Sequence, residues 1–199
     1  MSKYFPGTSN NMPTDVRGKK AERIHTVREH IPALKVVAAD TDGVHASVNG
    51  AAHELITEIT NPATPRNITA TAGGTAGSIK AVQVVIEGTN YNDDVITETL
   101  PAFTVDTPGT VEGNKAFKTV AKITIPAHDA ASAATEIGWG DKLGLPYRLD
   151  RNTVLAAYLN KTREATAPTV VVSATAIESN TVDLNSALDG HDVDIDLVV

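Results

Sequence analysis

The 199-residue chain contains no cysteine, few aromatic residues and no long apolar run. Without cysteine it can form neither disulfide bonds nor thiolate metal sites, which suits assembly in a reducing compartment. No apolar stretch approaches the roughly 20 residues that a membrane helix requires, and residues 1–20 lack the apolar segment of a secretory signal. Aromatic residues make up only 4% of the chain. The core must therefore come from Val, Ile, Leu and Ala, which favours packed sheets over an aromatic-lined ligand cavity.

Charge is distributed unevenly along the chain. Residues 1–35 contain seven Lys or Arg and three Asp or Glu, whereas the whole chain has a net charge of −7. The remaining residues are strongly acidic and repel phosphate, so we expect them not to bind nucleic acid. We expect the basic start to contact a partner, although a solvated terminus is the alternative. The candidate interface residues are Arg17, Lys19, Lys20, Arg23 and Arg28.

Composition divides the chain into three parts. Residues 1–33 are polar and are expected to form an extended N-terminal arm, in which residues 16–30 fit a short amphipathic helix after Asp15. Residues 34–62 contain arm-proximal strands, LKVVAA (34–39) and HELITEIT (53–60), with a turn at DTDG (40–43). The proline-rich NPATP then separates them from a body at residues 63–199.

The body predicts an all-β fold, either an Ig-like β-sandwich or a barrel-like domain. Its strand-like runs are separated by Gly, Asn and Pro at regular spacing. SIKAVQVVIEG (78–88) alternates with period two, and GTNYNDD (88–94) is typical of a hairpin turn. AHDAASAAT fits either a helix or a loop of small residues. HDVDIDLVV (191–199) alternates cleanly, which predicts a half-buried strand with three apolar residues inward: Val193, Ile195 and Leu197.

Three aspartates occupy the other face of this C-terminal strand: Asp192, Asp194 and Asp196. The main interpretation of three carboxylates on one face is a solvated face or charges that guard a sheet edge, and the alternative is a set of ligands for a hard cation. DTDG lacks the later ligands of an EF-hand, and none of the six histidines lies in a zinc pattern. The sequence therefore predicts neither a cofactor nor an enzyme.

Several segments resemble a group of virion structural proteins from tailed bacteriophages: WGDKLGLPYRL (139–149), NTVLAAYLN (152–160), NTVDLNSALDG (180–190), ITNPATPRNITATA (59–72) and IEGTNYNDDVITETL (86–100). The last of these is similar to a hairpin of Ig-like phage domains. The resemblance covers residues 55–199 and implies a non-catalytic capsid decoration (cement) protein. It also implies assembly in the bacterial host cytoplasm, a location on the capsid surface of the virion, and the major capsid protein as partner. By analogy, the protein is expected to be a homotrimer.

Under this interpretation, Trp139, Gly140, Pro146 and Tyr147 form a structural corner of the sandwich and not a ligand clamp. The strand at residues 191–199 is expected to pair across a subunit boundary if its edge is open. Three alternatives remain. The first is a tail tube or tail-associated protein, the second is a carbohydrate-binding adhesion module on the virion, and the third is a small hydrolase that uses the C-terminal carboxylates.

Overall fold

The computed structural model describes residues 11–13, 20–22 and 25–199 of the chain. These residues form β-strands, three single turns of 3₁₀ helix and no α-helix, so the predicted all-β fold is confirmed. The strands are β1 (Asn11–Pro13), β2 (Lys20–Glu22), β3 (Thr26–Ile31), β4 (Asp40–Asn49), β5 (Glu54–Ile56), β6 (Arg66–Gly74), β7 (Val85–Thr89), β8 (Val95–Thr99), β9 (Gly109–Glu112), β10 (Thr119–Ile125), β11 (Ala133–Gly144), β12 (Val154–Leu159), β13 (Thr162–Arg163), β14 (Thr169–Val171), β15 (Thr181–Asp183) and β16 (Val193–Val198).

The strands form a two-stranded hairpin and three larger antiparallel sheets. β1 pairs with β2 to make the hairpin. The six-stranded sheet has the order β14-β15-β11-β6-β9, with β4 also paired to β11. The second sheet has the order β5-β10-β7-β8, and the third, which we call the arm-bearing sheet, has the order β13-β12-β16-β3.

Two hydrophobic cores lie between these sheets. The first core packs the six-stranded sheet against the β5-β10-β7-β8 sheet and contains Ile68, Ile86 and Ile123. The second core packs the arm-bearing sheet against the β11–β15 end of the six-stranded sheet and contains Leu143 and Ile195. β11 contributes to both, because Ile137 lies in the first core and Leu143 in the second. The six-stranded sheet therefore contributes side chains to both cores and packs against each of the other two sheets.

The period-two patterns in the sequence predicted the buried faces well. Val82, Val84 and Ile86 are buried, as are the three apolar residues of β16. Residues 90–94 connect β7 to β8, and Asp93 adopts a φ of 66°, in line with the expected hairpin turn. Asp tolerates this left-handed conformation better than most residues, so the Asn-Asp run permits the turn.

Local predictions near the N-terminus were less successful. Residues 26–30 belong to strand β3 and not to a helix, because β3 pairs along its whole length with β16; residues 14–19 and 23–24 lie outside the described residues. LKVVAA is no strand but a 3₁₀ turn at Ala33–Lys35 followed by irregular chain. DTDG is no turn, because it begins strand β4. Of the strand expected at residues 53–60, only Glu54–Ile56 forms a strand in the structure.

In the Ala-rich stretch AHDAASAAT, residues 127–132 form an irregular connection and residues 133–135 begin β11. Its small residues allow close packing: Ala133 is fully buried, and its carbonyl accepts a hydrogen bond from the Gly50 backbone at 2.9 Å. No helix in the described part of the chain has the length and apolar character needed to cross a membrane.

Candidate functional site

Three aspartates, in β16 and just before it, hold strand β3 in place. Asp196 accepts two hydrogen bonds from the Arg28 guanidinium, at 2.7 and 2.8 Å. Asp194 contacts His30 Nδ1 at 2.8 Å, and Asp192 accepts the backbone N–H of Ala33 at 2.7 Å. We call this set of contacts the arm clamp. Each carboxylate thus has a partner on β3 or on the turn that follows it.

The arm clamp bears on two alternatives that the sequence left open for these residues. Asp192, Asp194 and Asp196 do not converge on a metal site, and residues 25–199 contain no group of three or more His, Asp or Glu that could hold a metal ion. β16 cannot pair with a neighbouring subunit either, because β12 occupies one of its edges and β3 the other. Among the described residues, the outer strands of this sheet are β3 on one side and the two-residue β13 on the other.

Arg28 is the only interface candidate whose side chain the structure describes, and it is already engaged. Its guanidinium carbon lies 5.3 Å from the centre of the Tyr158 ring, in addition to its paired bonds to Asp196. The backbone of Lys20 begins β2. Arg17, Lys19 and Arg23 lie outside the described residues. Arg28 therefore anchors the arm instead of presenting a free charge to a partner.

We predict that Asp196→Asn loosens β3. The Arg28 guanidinium holds the pKa of the Asp196 carboxyl below its usual value. The clamp thus contributes stability above the carboxyl's ordinary pKa of about 3.9 and loses it as the pH falls through the lower folded value. Because the pair is exposed, we expect amide exchange in Thr26–Ile31 to accelerate only about two- to fivefold at neutral pH. Asp150→Asn, an exposed change outside this sheet, is the matched control, and equal exchange in both variants would contradict the prediction.

The expected structural corner separates into two places in the fold. Pro146 and Tyr147 line a shallow groove of about 410 Å³ together with Asn92 and Arg148. Burial, and to a lesser degree the Glu29 carboxylate, raises the pKa of Tyr147. The turn that carries Pro146 is organised by buried Asn180, whose side-chain oxygen accepts the Leu149 N–H at 3.1 Å. Pro146 and Tyr147 thus lie in the irregular connection that follows β11.

Trp139 lies inside a strand and not at a corner, which corrects the prediction. It is a half-buried residue of β11, and its indole N–H donates to the Ala38 carbonyl at 3.1 Å. The flanking glycines do permit a tight path, as expected. A Cβ at Gly138 would overlap the Asp40 carbonyl, and one at Gly140 would lie 2.6 Å from the Asn67 side chain. The indole itself covers Gly43 of β4.

Beside Trp139 the structure forms a cleft of about 250 Å³, which we call the Trp139 cleft. It is lined by segments from five strands and the chain just before β4: Ala39, Asp40, Thr41, Thr69, Thr110, Glu112, Trp139, Gly140, Asp141, Lys142 and Asp183. Lys142 bridges to Glu112 at 3.3 Å and to Asn114 Oδ1 at 3.1 Å. Acidic side chains thus outnumber basic ones in the lining.

A fully buried arginine supports this cleft from beneath. Arg66 has no exposed surface and donates to the carbonyls of Gly140 at 2.6 Å and Val37 at 2.8 Å. It also contacts Asp141 at 3.3 Å. Burial lowers the pKa of Arg66 to about 10, and burial also raises the pKa of Asp141 although Arg66 opposes that rise. The pKa of Asp183 is raised by burial and then by Asp141.

Sequence reasoning identified Trp139 and Gly140 but missed the charged groups around them. Arg66 and Asp141 are 75 positions apart, and Asp183 comes from the three-residue strand β15, for which the sequence analysis predicted no strand. No local spacing links these residues. The one available signal was the GWGDK run itself, in which two charges follow the only tryptophan after a single glycine.

Comparisons with known proteins leave the chain without an identified relative. No protein-family model, curated protein or solved structure matches it.

Proposed function

We propose that the chain is a non-catalytic structural protein of a tailed-phage virion, which binds the capsid shell and stabilises it. The observation that supports this best is the way the N-terminal segment is attached. The arm clamp holds β3 at the edge of a folded β body, and the basic residues 17–23 directly precede that strand. A rigid body with a basic segment leaving one fixed edge is suited to bridging neighbouring shell subunits.

Exposed apolar side chains on the body agree with such a role. Leu34 is 91% exposed and Val95 81% exposed, and smaller exposures occur at Leu55 and Leu155. Single exposed apolar residues are common on monomers, so these support the proposal only together with the charge asymmetry of the chain. Leu34 follows the arm clamp directly, so an exposed apolar side chain lies next to the anchored C-terminal end of β3.

The binding test uses shells assembled from the major capsid protein of the same phage. We expect the protein to co-sediment with these shells and to raise their melting temperature. Neutralising the arm, with Arg17, Lys19, Lys20 and Arg23 all changed to Gln, should weaken binding and reduce its dependence on salt.

The matched control removes four positive charges from the body instead of the arm. Its four changes to Gln are at exposed positions: Arg148, Arg151, Lys161 and Arg163. We expect this variant to bind shells as the unmodified protein does. Failure of the unmodified protein to co-sediment at low salt would overturn the proposal, and an equal loss in both variants would remove the special role of the arm.

We further propose a homotrimer that survives high salt, which light scattering measures directly. Stacked rings in solution would instead indicate a tail tube subunit, whose sheets continue between neighbours. If the protein is a monomer that still binds shells, the decoration role stands and the proposed trimer is wrong.

A further inference from the structure

Among the six histidines, all of which the structure describes, only His128 is buried. It lies in the connection between β10 and β11 and is 5% exposed. Neither the proposed shell binding nor the arm clamp uses this residue. A buried histidine differs from other core residues because its ordinary pKa, about 6.5, lies within the range of pH that a protein meets.

Three chain connections meet around this residue, and we call the place the His128 junction. The His128 backbone N–H donates to the Gly50 carbonyl at 2.8 Å, and the Asp129 N–H donates to the Ser78 carbonyl at 3.1 Å. Each connection joins a strand of the six-stranded sheet to a strand of the β5-β10-β7-β8 sheet. The connections are residues 50–53 between β4 and β5, residues 75–84 between β6 and β7, and residues 126–132 between β10 and β11.

The two ring nitrogens of His128 have different partners. Nδ1 lies 3.1 Å from the backbone nitrogen of Lys80, which can only donate, so Nδ1 is the acceptor. Nε2 lies 2.9 Å from the Thr135 hydroxyl oxygen and therefore carries the proton of the ring, which it donates to that oxygen. These contacts require a neutral imidazole with its proton on Nε2.

Protonation of the ring is incompatible with these contacts. The added proton can only go to Nδ1, and two N–H groups then face each other across the contact with Lys80. The Phe103 ring centre lies 5.7 Å from that of His128, and a Cβ at Gly50 would lie 3.0 Å from the ring carbon Cδ2. Because these neighbours restrict rotation of the ring, the charged form requires the surrounding segments to move.

The charged groups near the ring do not offset this cost. Burial lowers the pKa of His128, although the Asp129 carboxylate opposes that shift. Asp129 also pairs with Lys80 Nζ at 3.6 Å. The other titratable groups on the packed segments are exposed or lie on the opposite face of β11: His53, Asp106 and Glu136. The neutral ring thus contributes stability above the unfolded pKa of about 6.5, and this contribution is lost as the pH falls through the lower folded value.

We propose that His128 is an acid-sensitive switch that opens the His128 junction. At neutral pH the ring holds the Lys80 segment against the connection that leads into β11. In acid the ring takes a proton from solvent on Nδ1, the hydrogen bond from Lys80 is lost, and the three connections separate locally. The arm-bearing sheet and the second core stay folded, because they lie outside the junction.

The test is amide hydrogen exchange of the full chain at pH 7 and pH 5, expressed as protection factors that remove the intrinsic effect of pH. Protection in residues 79–84 and 126–133 should fall about fivefold or more at pH 5, because the Lys80 N–H loses its acceptor. Protection of β12 and β16 should change by less than about twofold. Unchanged protection at the junction, or an equal loss in all sheets, would overturn the proposal.

His128→Asn tests whether the ring causes the response. The Asn side-chain oxygen takes nearly the place of Nδ1 and accepts the Lys80 N–H without titrating, so protection at the junction should no longer depend on pH. His53→Asn removes an exposed histidine of the same junction and is the matched control, which should keep the full response. An acid response that persists in the folded His128→Asn variant, or disappears in His53→Asn, would contradict the switch.

A second measurement needs no variant and applies if His128→Asn does not fold. Nitrogen-15 NMR of the imidazole rings distinguishes the two neutral tautomers from the charged form, and contacts with Phe103 identify the His128 signals. At pH 7 the proton should be on Nε2 alone, and Nδ1 should gain its proton over the pH range in which the junction loses protection. A proton on Nδ1 at pH 7, or titration outside that range, would overturn the proposal.

Discussion

Replacing Arg66 by methionine is expected to lower the free energy of unfolding by about 3–5 kcal/mol at neutral pH. The side chain is fully buried and its guanidinium holds three groups at once, the carbonyls of Gly140 and Val37 and the carboxylate of Asp141. Methionine fills most of the volume but leaves both carbonyls without this donor and the half-buried carboxylate without its cationic partner. Denaturant unfolding of the purified variant measures the loss.

The pH dependence of this loss tests its electrostatic part. Without Arg66, the pKa of Asp141 should rise further above its already raised folded value, because its nearest cation is gone. Protonation then removes the unpaired charge, so the deficit of the variant should shrink as the pH falls towards about 4.

Two companion variants serve as controls for Arg66. Adding Asp141→Asn to Arg66→Met should recover part of the stability, because no unpaired charge remains. Arg66→Lys keeps the charge but not the planar set of donors, so its free energy of unfolding should lie between those of the unmodified protein and Arg66→Met. A deficit that is the same at every pH would show that packing and not charge dominates at this position.

The second large effect is expected from Gly138→Ala, with a loss of about 3 kcal/mol in unfolding free energy. Strand β4 begins directly against Gly138, and a Cβ there would overlap the Asp40 carbonyl and meet the backbone of Thr41. Both obstacles are backbone, so neither can rotate away. β4 must shift from β11, and the indole of Trp139, which covers Gly43, must move with it.

The matched control for this change is Gly73→Ala on the neighbouring strand β6. A Cβ at Gly73 has no atom within 4 Å, so we expect its stability to stay within about 0.5 kcal/mol of the unmodified protein. Thermal melts compare the two variants, and the emission of Trp139 reports the displacement of β4. Similar melting temperatures for both variants would contradict the close approach of β4 and β11.

The part of the fold that could be predicted is the part with a local periodic signal. On β16, the alternating pattern assigned Val193, Ile195 and Leu197 to the core. The free energy gained by burying these apolar side chains is large enough to fix which face of the strand points inward. The β7–β8 hairpin was likewise predictable, because Asn and Asp tolerate the left-handed conformation that its turn requires.

The failures occurred where tertiary pairing overrode local preference. Residues 26–30 suit a helix by their amphipathic spacing, yet β3 pairs along its whole length with β16 and buries Ile31 in the second core. DTDG has the composition of a turn, but Asp40 and Gly43 lie in β4 because β11 offers an edge beside them. A strand needs its neighbour, and that neighbour is distant in sequence.

The sequence by itself therefore determined the fold class, the inward faces of several strands and the contrast between a basic start and an acidic body. Only the tertiary structure decided what the polar faces do. Arg28 and Asp196 are 168 positions apart and Arg66 and Asp141 are 75 apart, and no spacing rule joins them. Apolar burial produces an alternating sequence pattern along one strand, whereas a contact between charged side chains depends on which strands become neighbours. The arm clamp and the Trp139 cleft thus exist only after the sheets have assembled.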